Sequence, residues 1–498
     1  GLVNMEQPVK LKPERRLVHL DLKGAPPNIS YLQKILPLLQ SFGANGLLVE
    51  YEDTFPYHGD LQDLVSKNAY SKSEVVQLLD LAKSHNMTVI PLVQTFGHFE
   101  FVLKHEKFQH LREHPKFPMT LCPNHKDSLA TVQAMVDQVL EMHPDISWFH
   151  IGADEVFDLG VCEKCRSKLV ENGSKAHLFF KHIKNVLDYI KRKYPHLNLI
   201  MWDDMFRTVD TKTLKDAGIG ELVEPMVWQY LDRLVLPEDL WSRYSAVFPN
   251  IWVGTAFKGA TGAATFATNI AYHIENHKQW HKVMELEKSR FQNFRGYAFT
   301  GWQRYDHYAT LCELLPAGLP CLALCLEIMK TGTFTVATHT KVSQDLGCQE
   351  LLPLNPFDIL SPIPECSFPG GVIYCGVALL VHLHDEYSAF MKNDRYQGWM
   401  TEYHIKYRYA NPVHIQYIMG IVKSLHEKFC DLKKFIEPGL REVFDGDTIE
   451  EWLMVYVDTP LKKLEELLAT GNELNALGAR AKPPLESENC VEMTDDKS

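Results

Sequence analysis

Eight short apolar runs constrain this chain more than any other feature. They cover residues 17–22, 46–51, 88–96, 148–151, 199–202, 225–228, 251–257 and 296–300, and stretches with helical spacing lie between most of them. Runs of this length read as strands buried on both faces, which is the environment of a parallel sheet. Residues 31–42 place apolar side chains at helical spacing and stop before Gly43; residues 71–85 open on Ser71 with Glu74 three positions on, a capping signal. Residues 129–142 and 176–194 continue the alternation. Eight β-then-α units predict an α/β fold, a TIM (β/α)8 barrel. A doubly wound open sheet is the competing arrangement. It would usually carry a glycine-rich phosphate loop after its first strand, and neither GxGxxG nor a Walker pattern occurs.

In such a barrel the chemistry sits where the strands end at the C-terminal mouth. Those positions here hold Asp21 and Lys23, then Glu50, Glu52 and Asp53, then Gln94 and His98. The later ends hold Asp154 and Glu155, Trp202 to Asp204, Trp228 and Tyr230, Lys258, and Trp302 to Asp306. The fourth run leads into His150-Ile151-Gly152-Ala153-Asp154-Glu155-Val156. Two adjacent carboxylates in a partly dry site repel. That repulsion is expected to raise the pKa of at least one, which suits it to general acid work. An ordinary acidic strand-to-helix turn is the plain alternative. Aromatic rings beside carboxylates point to a sugar site, because pyranose faces stack on rings and their hydroxyls need fixed polar partners. Two carboxylates are the usual equipment for glycoside hydrolysis. Neighbours in sequence do not flank the bond from opposite faces, which points to a nucleophile supplied by the substrate.

Composition narrows the classes further. Of 498 residues 45% are hydrophobic, enough for a packed interior, and a net charge of −12 argues against a nucleic-acid partner. No run of eighteen apolar residues occurs, so no membrane span is expected. Residues 1–12 lack the apolar core of a signal peptide, and eleven cysteines are spread thinly. Together these features lead us to expect a mostly reduced, intracellular protein. Past residue 335 the pattern changes. Residues 333–372 read as an irregular connection, and helices are expected over 376–391, 412–435 and 449–469, serving packing or a homodimer interface. The expected division is an arm at 1–16, a catalytic barrel at 17–335, a helical region at 336–480 and a disordered tail at 481–498.

Several residues have plainer readings. Cys162-x-x-Cys165 is half of a zinc knuckle or a redox pair, but no second pair with ligand spacing lies near it in sequence, so no metal is expected. A metal on His98, His150, Asp154 and Glu155 is outweighed by acid–base roles, and no cofactor is expected. Lys258 is either a phosphate ligand or a loop spacer. Asp203 and Asp204 either cap a helix or meet sugar hydroxyls, and Glu50, Glu52 and Asp53 read as solvated or structural.

The phrase His150-Ile151-Gly152-Ala153-Asp154-Glu155 resembles the His-x-Gly-x-Asp-Glu signature of glycoside hydrolase family 20, the β-N-acetylhexosaminidases. The likeness runs in order from His19 to about Pro320. It passes through Gln94-Thr95-Phe96-Gly97-His98, Trp202-Asp203-Asp204-Met205, Ala256-Phe257-Lys258-Gly259 and Gly301-Trp302-Gln303-Arg304. The resemblance implies that Glu155 is the general acid/base. It makes Asp154 the residue that orients the 2-acetamido group, which attacks the anomeric carbon to form an oxazolinium ion. Tyr230 would hydrogen-bond the acetamido carbonyl, and Trp202, Trp228 and Trp302 would wall the sugar. His98 and His150 would support the site, and Asp21, Asp204 and Tyr305 are further candidates for sugar contact. The substrate implied is a small glycoside or glycoconjugate.

Two departures stand out. Asp21-Leu22-Lys23 replaces an arginine that many members carry after the first strand, and Trp302-Gln303-Arg304 replaces Trp-x-Glu. The nearest resemblance within the family is to a divergent branch that leans toward N-acetylgalactosaminides and a cytoplasmic or nuclear location. A non-catalytic carbohydrate-binding barrel is the alternative, and the intact Asp154-Glu155 pair argues against it.

Overall fold

The computed structural model describes residues 14–481; the expected tail, save Ala481, and residues 1–13 of the expected arm lie outside the described residues. Eight parallel strands close into a barrel: β1 (Arg15–Asp21), β2 (Gly46–Glu50), β3 (Thr88–Leu92), β4 (Trp148–His150), β5 (Asn198–Trp202), β6 (Val223–Trp228), β7 (Asn250–Lys258) and β8 (Asn293–Gly301). Each lies beside the next, and β8 pairs with β1 through Arg15 opposite Gly296. Alternation along the strands sends Leu17, Leu48, Ile90, Ile200, Met226 and Trp252 into the barrel interior, while Val18, Leu47, Val49 and Leu199 join the core shared with the helices. At the lower end Glu224 is held by Trp148 Nε1 at 3.1 Å, Trp252 Nε1 at 2.9 Å and Arg295 Nη2 at 3.1 Å. The charges there are closed among themselves, in contrast to those at the mouth.

β3 and β4 are shorter than the apolar runs that encode them. They share the single register pair Leu92 and His150. Beyond it the chain leaves the ladder: Thr95 Oγ1 donates to the Ile151 carbonyl at 2.7 Å, and Gly152 turns with φ +69°. Gln94, His98, Asp154 and Glu155 from the segments past that pair line the mouth.

Local signals account for the helices. α1 (Lys72–Ser84) is capped by Ser71 Oγ, which accepts from Glu74 N at 3.1 Å while Ser71 N donates to Glu74 Oε1 at 3.0 Å. α2 (Glu163–Asn172) starts from Cys162 just past the Asp154-Glu155 pair. A helix over Val336–Asp345 and a Cys348–Cys366 disulfide give order to the stretch read as irregular. That helix is ten residues long and rich in Thr, Ser and Gln, too short and polar for a periodic signal. Eight other described cysteines are free.

The C-terminal region consists mainly of α3 (Gly371–Met391), α4 (Pro412–Val443), α5 (Gly446–Leu453) and α6 (Thr459–Leu477). α4 runs past the expected end at 435 because its buried stripe continues through Ile436 and Leu440. The last expected helix is two, joined by a π-helical turn over Met454–Asp458. Pro460 has no N–H to offer the Tyr456 carbonyl, which instead accepts from His384 Nε2 at 2.9 Å. These helices share one apolar core with the barrel and reach its mouth. Asn28 N donates to Val443 O at 2.7 Å, Thr448 Oγ1 to Gly24 O at 3.0 Å, and Arg304 Nη1 to Glu451 Oε2 at 2.6 Å. Among the described residues no helix is long and apolar enough to cross a membrane.

Candidate active site

The barrel mouth holds a cavity of about 300 Å³. It is lined by Lys23, Glu50, Glu52, Gln94, His98, Asp154, Glu155, Trp228, Tyr230, Trp302, Arg304 and Tyr305. Polar groups converging among aromatic rings in a volume of this order make a small-ligand site.

The segment carrying the two carboxylates is strained. Ala153 and Glu155 adopt φ of +67° and +45°, and His98, facing them, +48°. Left-handed backbone at such residues costs roughly 1–3 kcal/mol each and persists only where neighbours over-determine it. Ala153 N donates to Gln94 Oε1 at 3.2 Å, Glu155 N to Asp204 Oδ2 at 2.8 Å, and Trp202 N to Gly152 O at 3.0 Å. A Cβ on Gly152 would stand 2.2 Å from Gln94 Oε1, so only glycine serves there.

The neighbouring carboxylates end in different surroundings. The Asp154 side chain is 7% exposed and accepts from Gln94 Nε2 at 2.9 Å, with His98 Nε2 at 3.3 Å. Burial would push its carboxyl up, but the His98 ring and the bonds from His98 and Gln94 together hold it below the usual carboxylate range. The Glu155 side chain is 40% exposed, and its Oε1 lies 3.3 Å from the same His98 Nε2. Burial favours neutral His98, yet Asp154 and the bonds to both carboxylates raise its pKa well above the ordinary value. With the imidazole beside it, Asp154 does not carry the raised carboxyl expected of the pair. Burial and the charge of Asp154 push Asp204 up to about 7.

The sign of that shift gives a test. Native Asp204 keeps a proton that the unfolded chain releases between about pH 4 and about pH 7. Its contribution to stability is greatest below the unfolded pKa and declines as pH rises through that window. Asp204→Asn is expected to flatten the decline, and calorimetric unfolding at about pH 5 and about pH 8 checks it. A wild-type slope retained in the variant would assign the effect elsewhere.

Trp228 and Tyr230 form one wall, their rings 5.0 Å apart, with Trp228 Nε1 donating to Asp204 Oδ1 at 2.9 Å. Burial holds the Tyr230 hydroxyl well above the ordinary phenol range, so it stays a donor. Trp302 forms another wall over His19, and Tyr305 stands at the outer rim, its hydroxyl accepting from Gly262 N at 2.7 Å. The remaining sequence candidates lie beneath the cavity. Trp202 packs between Trp302 at 6.1 Å and His150 at 4.7 Å. His150 Nδ1 accepts from Gly152 N at 2.9 Å, and burial lowers its pKa to about 3, leaving it neutral. Asp21 accepts from Gln303 N at 2.8 Å and pairs with Lys23 at 2.9 Å.

Sequence reasoning undervalued the polar wall opposite. Lys23 Nζ lies 3.6 Å from Glu52 and 3.9 Å from Glu50, and His307 pairs with Glu52. Burial, helped by Glu52, raises Glu50 well above its ordinary value. Lys23 and His307 overcome burial to hold Glu52 low. Glu50 and Glu52 are therefore neither solvated nor remote. The usable signal was a glutamate closing the apolar run Gly46–Glu50. Asp203 is neither cap nor sugar ligand. It binds Arg207 at 2.7 Å and Tyr244 Oη at 2.7 Å. Lys258 is buried and donates to the Trp302 and Glu313 carbonyls at 2.9 Å each, so it is not free for phosphate. Cys162 and Cys165 are not an isolated pair, because the chain brings Cys122 and Glu113 against them.

Comparison with known proteins gives the family. Residues 33–247 match the model of the glycosyl hydrolase family 20 catalytic domain. The chain belongs to that family, and is a glycoside hydrolase of the β-N-acetylhexosaminidase class. Its relatives include human hexosaminidase D, 42% identical over 480 residues, 95% of this chain and 96% of that protein. The Bos taurus hexosaminidase D is 48% identical over 340 residues, 68% of this chain and 98% of that protein. Among solved structures, the β-N-acetylhexosaminidase of Bacteroides fragilis superposes with a TM-score of 0.46 at 16% identity, over 64% of this chain and 66% of that one.

Proposed function

We propose that the enzyme is a retaining exo-β-N-acetylhexosaminidase that releases terminal β-linked N-acetylgalactosamine, and more slowly N-acetylglucosamine, by substrate-assisted catalysis. The contrast between the two neighbouring carboxylates carries this reading. Asp154 is deep and kept ionised by His98, while Glu155 faces the open side. Opposed surroundings suit opposed tasks. Glu155 gives its proton to the glycosidic oxygen as the bond to the anomeric carbon breaks. The acetamido carbonyl oxygen of the substrate forms the new bond to that carbon, giving the oxazolinium ion. Asp154 accepts from the acetamido N–H and offsets the positive charge growing on nitrogen. Tyr230 donates to the carbonyl oxygen. Glu155 then takes a proton from the water that opens the ring, and the configuration is retained. An intramolecular nucleophile held in place supplies up to roughly 7–11 kcal/mol of the barrier reduction.

The galacto preference rests on the resemblance to the divergent branch of the family, and Lys23, Glu50 and Glu52 line the cavity as the polar groups available to the sugar hydroxyls. The same reading has the enzyme working in the cytoplasm or nucleus, in keeping with eight free described cysteines against one disulfide.

The test is NMR of the first-formed product, with rates on β-GalNAc, β-GlcNAc and 2-hydroxyl glycosides. Retention, faster galacto turnover and negligible cleavage without the acetamido group are expected. Inversion, or equal cleavage of the 2-hydroxyl glycoside, would sink the mechanism; faster gluco turnover would sink the preference alone.

A further inference from the structure

A second cluster lies outside the cavity lining, past the Asp154-Glu155 segment in the chain. A two-stranded hairpin, Arg112–His114 and Phe117–Leu121, delivers Glu113 from its first strand and Cys122 just past its second. The start of α2 delivers Cys162 and Cys165. Cys122 Sγ lies 3.5 Å from Cys162 Sγ and 3.8 Å from Cys165 Sγ, and Glu113 Oε2 lies 3.1 Å from Cys165 Sγ. One ligand atom from each of the four falls within 4.8 Å of all the others.

We propose that Glu113, Cys122, Cys162 and Cys165 bind one zinc ion in a closed structural site. Zinc–sulfur bonds of about 2.3 Å in a tetrahedron set sulfur atoms about 3.8 Å apart, close to the spacing seen. Glu113 is fully buried, and no cationic side chain among the described residues pairs with it. A buried carboxylate without a cation is costly. Val161 N and Cys162 N donate to Glu113 Oε1 at 2.8 and 2.7 Å, which turns Oε2 toward the thiols. Asn124 Nδ2 donates to Cys165 Sγ at 3.2 Å and Cys165 N to Cys162 Sγ at 3.4 Å, the outer bonds that thiolate ligands use. Three thiolates select a borderline-soft ion over magnesium or calcium, and four protein ligands leave no position for a reacting water.

The site is placed to position the catalytic loop. Cys162 lies seven residues after Glu155. Thr120 of the hairpin donates to the Phe157 carbonyl at 2.6 Å, and Leu121 N and Phe99 N tie the hairpin to both sides of His98 at 3.1 and 3.0 Å. The ion would join the segments bearing Glu155 and His98 from behind, without touching substrate.

Elemental analysis of the purified full-length enzyme, expressed with zinc in the medium, tests this directly. About one zinc per chain is expected, released by a mercurial thiol reagent, with X-ray absorption reporting three sulfur neighbours and one lighter ligand. Cys162→Ser with Cys165→Ser should lower zinc content roughly tenfold or more, Asn124→Ala should weaken zinc affinity about tenfold, and Cys430→Ser should change neither. If the double variant fails to fold, cobalt substitution of the wild-type chain decides, through thiolate-to-cobalt charge transfer and tetrahedral d–d bands. Wild-type enzyme essentially free of zinc, zinc with no sulfur neighbours, or a disulfide among Cys122, Cys162 and Cys165 in the isolated protein would overturn the proposal.

Discussion

Glu155→Gln is expected to lower kcat on an unactivated β-N-acetylhexosaminide by roughly 10²–10⁴, the range for loss of a positioned general acid. Glutamine keeps the shape of the side chain and the bond to His98 Nε2, which lies 3.3 Å from Glu155 Oε1. The backbone keeps its anchor as well, because Glu155 N donates to Asp204 whatever the side chain carries. Folding and substrate affinity should therefore change little, and the loss should fall on proton transfer. The diagnostic readout is dependence on the leaving group. A dinitrophenyl glycoside, whose phenolate departs without protonation, should lose far less in the bond-breaking step than an alkyl glycoside. A variant that loses both equally, or neither, would remove Glu155 from the acid role.

Asp154→Asn is expected to cost about 10²–10³ in kcat/KM, as when one preorganised electrostatic partner of a charged transition state is removed. Asparagine can still accept a hydrogen bond, but it cannot balance the charge on the oxazolinium nitrogen. A thiazoline mimic of that ion should therefore lose affinity in parallel with kcat/KM. The substitution also frees His98. In the wild type the Asp154 carboxyl is held low, so its contribution to stability is present above the ordinary aspartate value and is lost as pH falls through the folded value. His98 is held high, so its contribution is full below its ordinary value and is lost as pH rises through the folded value. The variant should give up the first and the part of the second that Asp154 supplies, and NMR titration of the His98 ring should show its pKa falling. An unchanged His98 titration, or a loss in kcat/KM under about tenfold, would contradict this assignment.

The barrel was legible because strands buried on both faces must be apolar throughout, and eight such runs leave few other folds. The Asp154-Glu155 pair was legible because adjacent carboxylates after a buried strand are costly without a use. Strand ends were less so. The run over 88–96 keeps Val93 and Phe96 past Leu92, yet Gln94 leaves the ladder to hold Ala153 and Asp154. Periodicity carries no sign of that departure. It also does not separate Trp302, which faces the cavity, from Trp202, which props it from below. The wall of Lys23, Glu50 and Glu52 was hidden because charges at strand ends look alike whether they meet solvent, each other or a ligand. Cys162-x-x-Cys165 appeared to be half a motif because its neighbours Glu113 and Cys122 come from a hairpin about forty to fifty residues earlier, a grouping made only by the fold.

The ties that the end of α4 and α5 make to the mouth set an order of events during synthesis. All eight strands have been made once Gly301 leaves the ribosome, but Val443, Thr448 and Glu451, which brace the β1 loop and Arg304, come some 140 to 150 residues later. A nascent chain can therefore complete its sheet well before its rim. Catalytic competence should appear only after Glu451 has been made, and a ribosome stalled between those points would hold a closed barrel with an unbraced entrance.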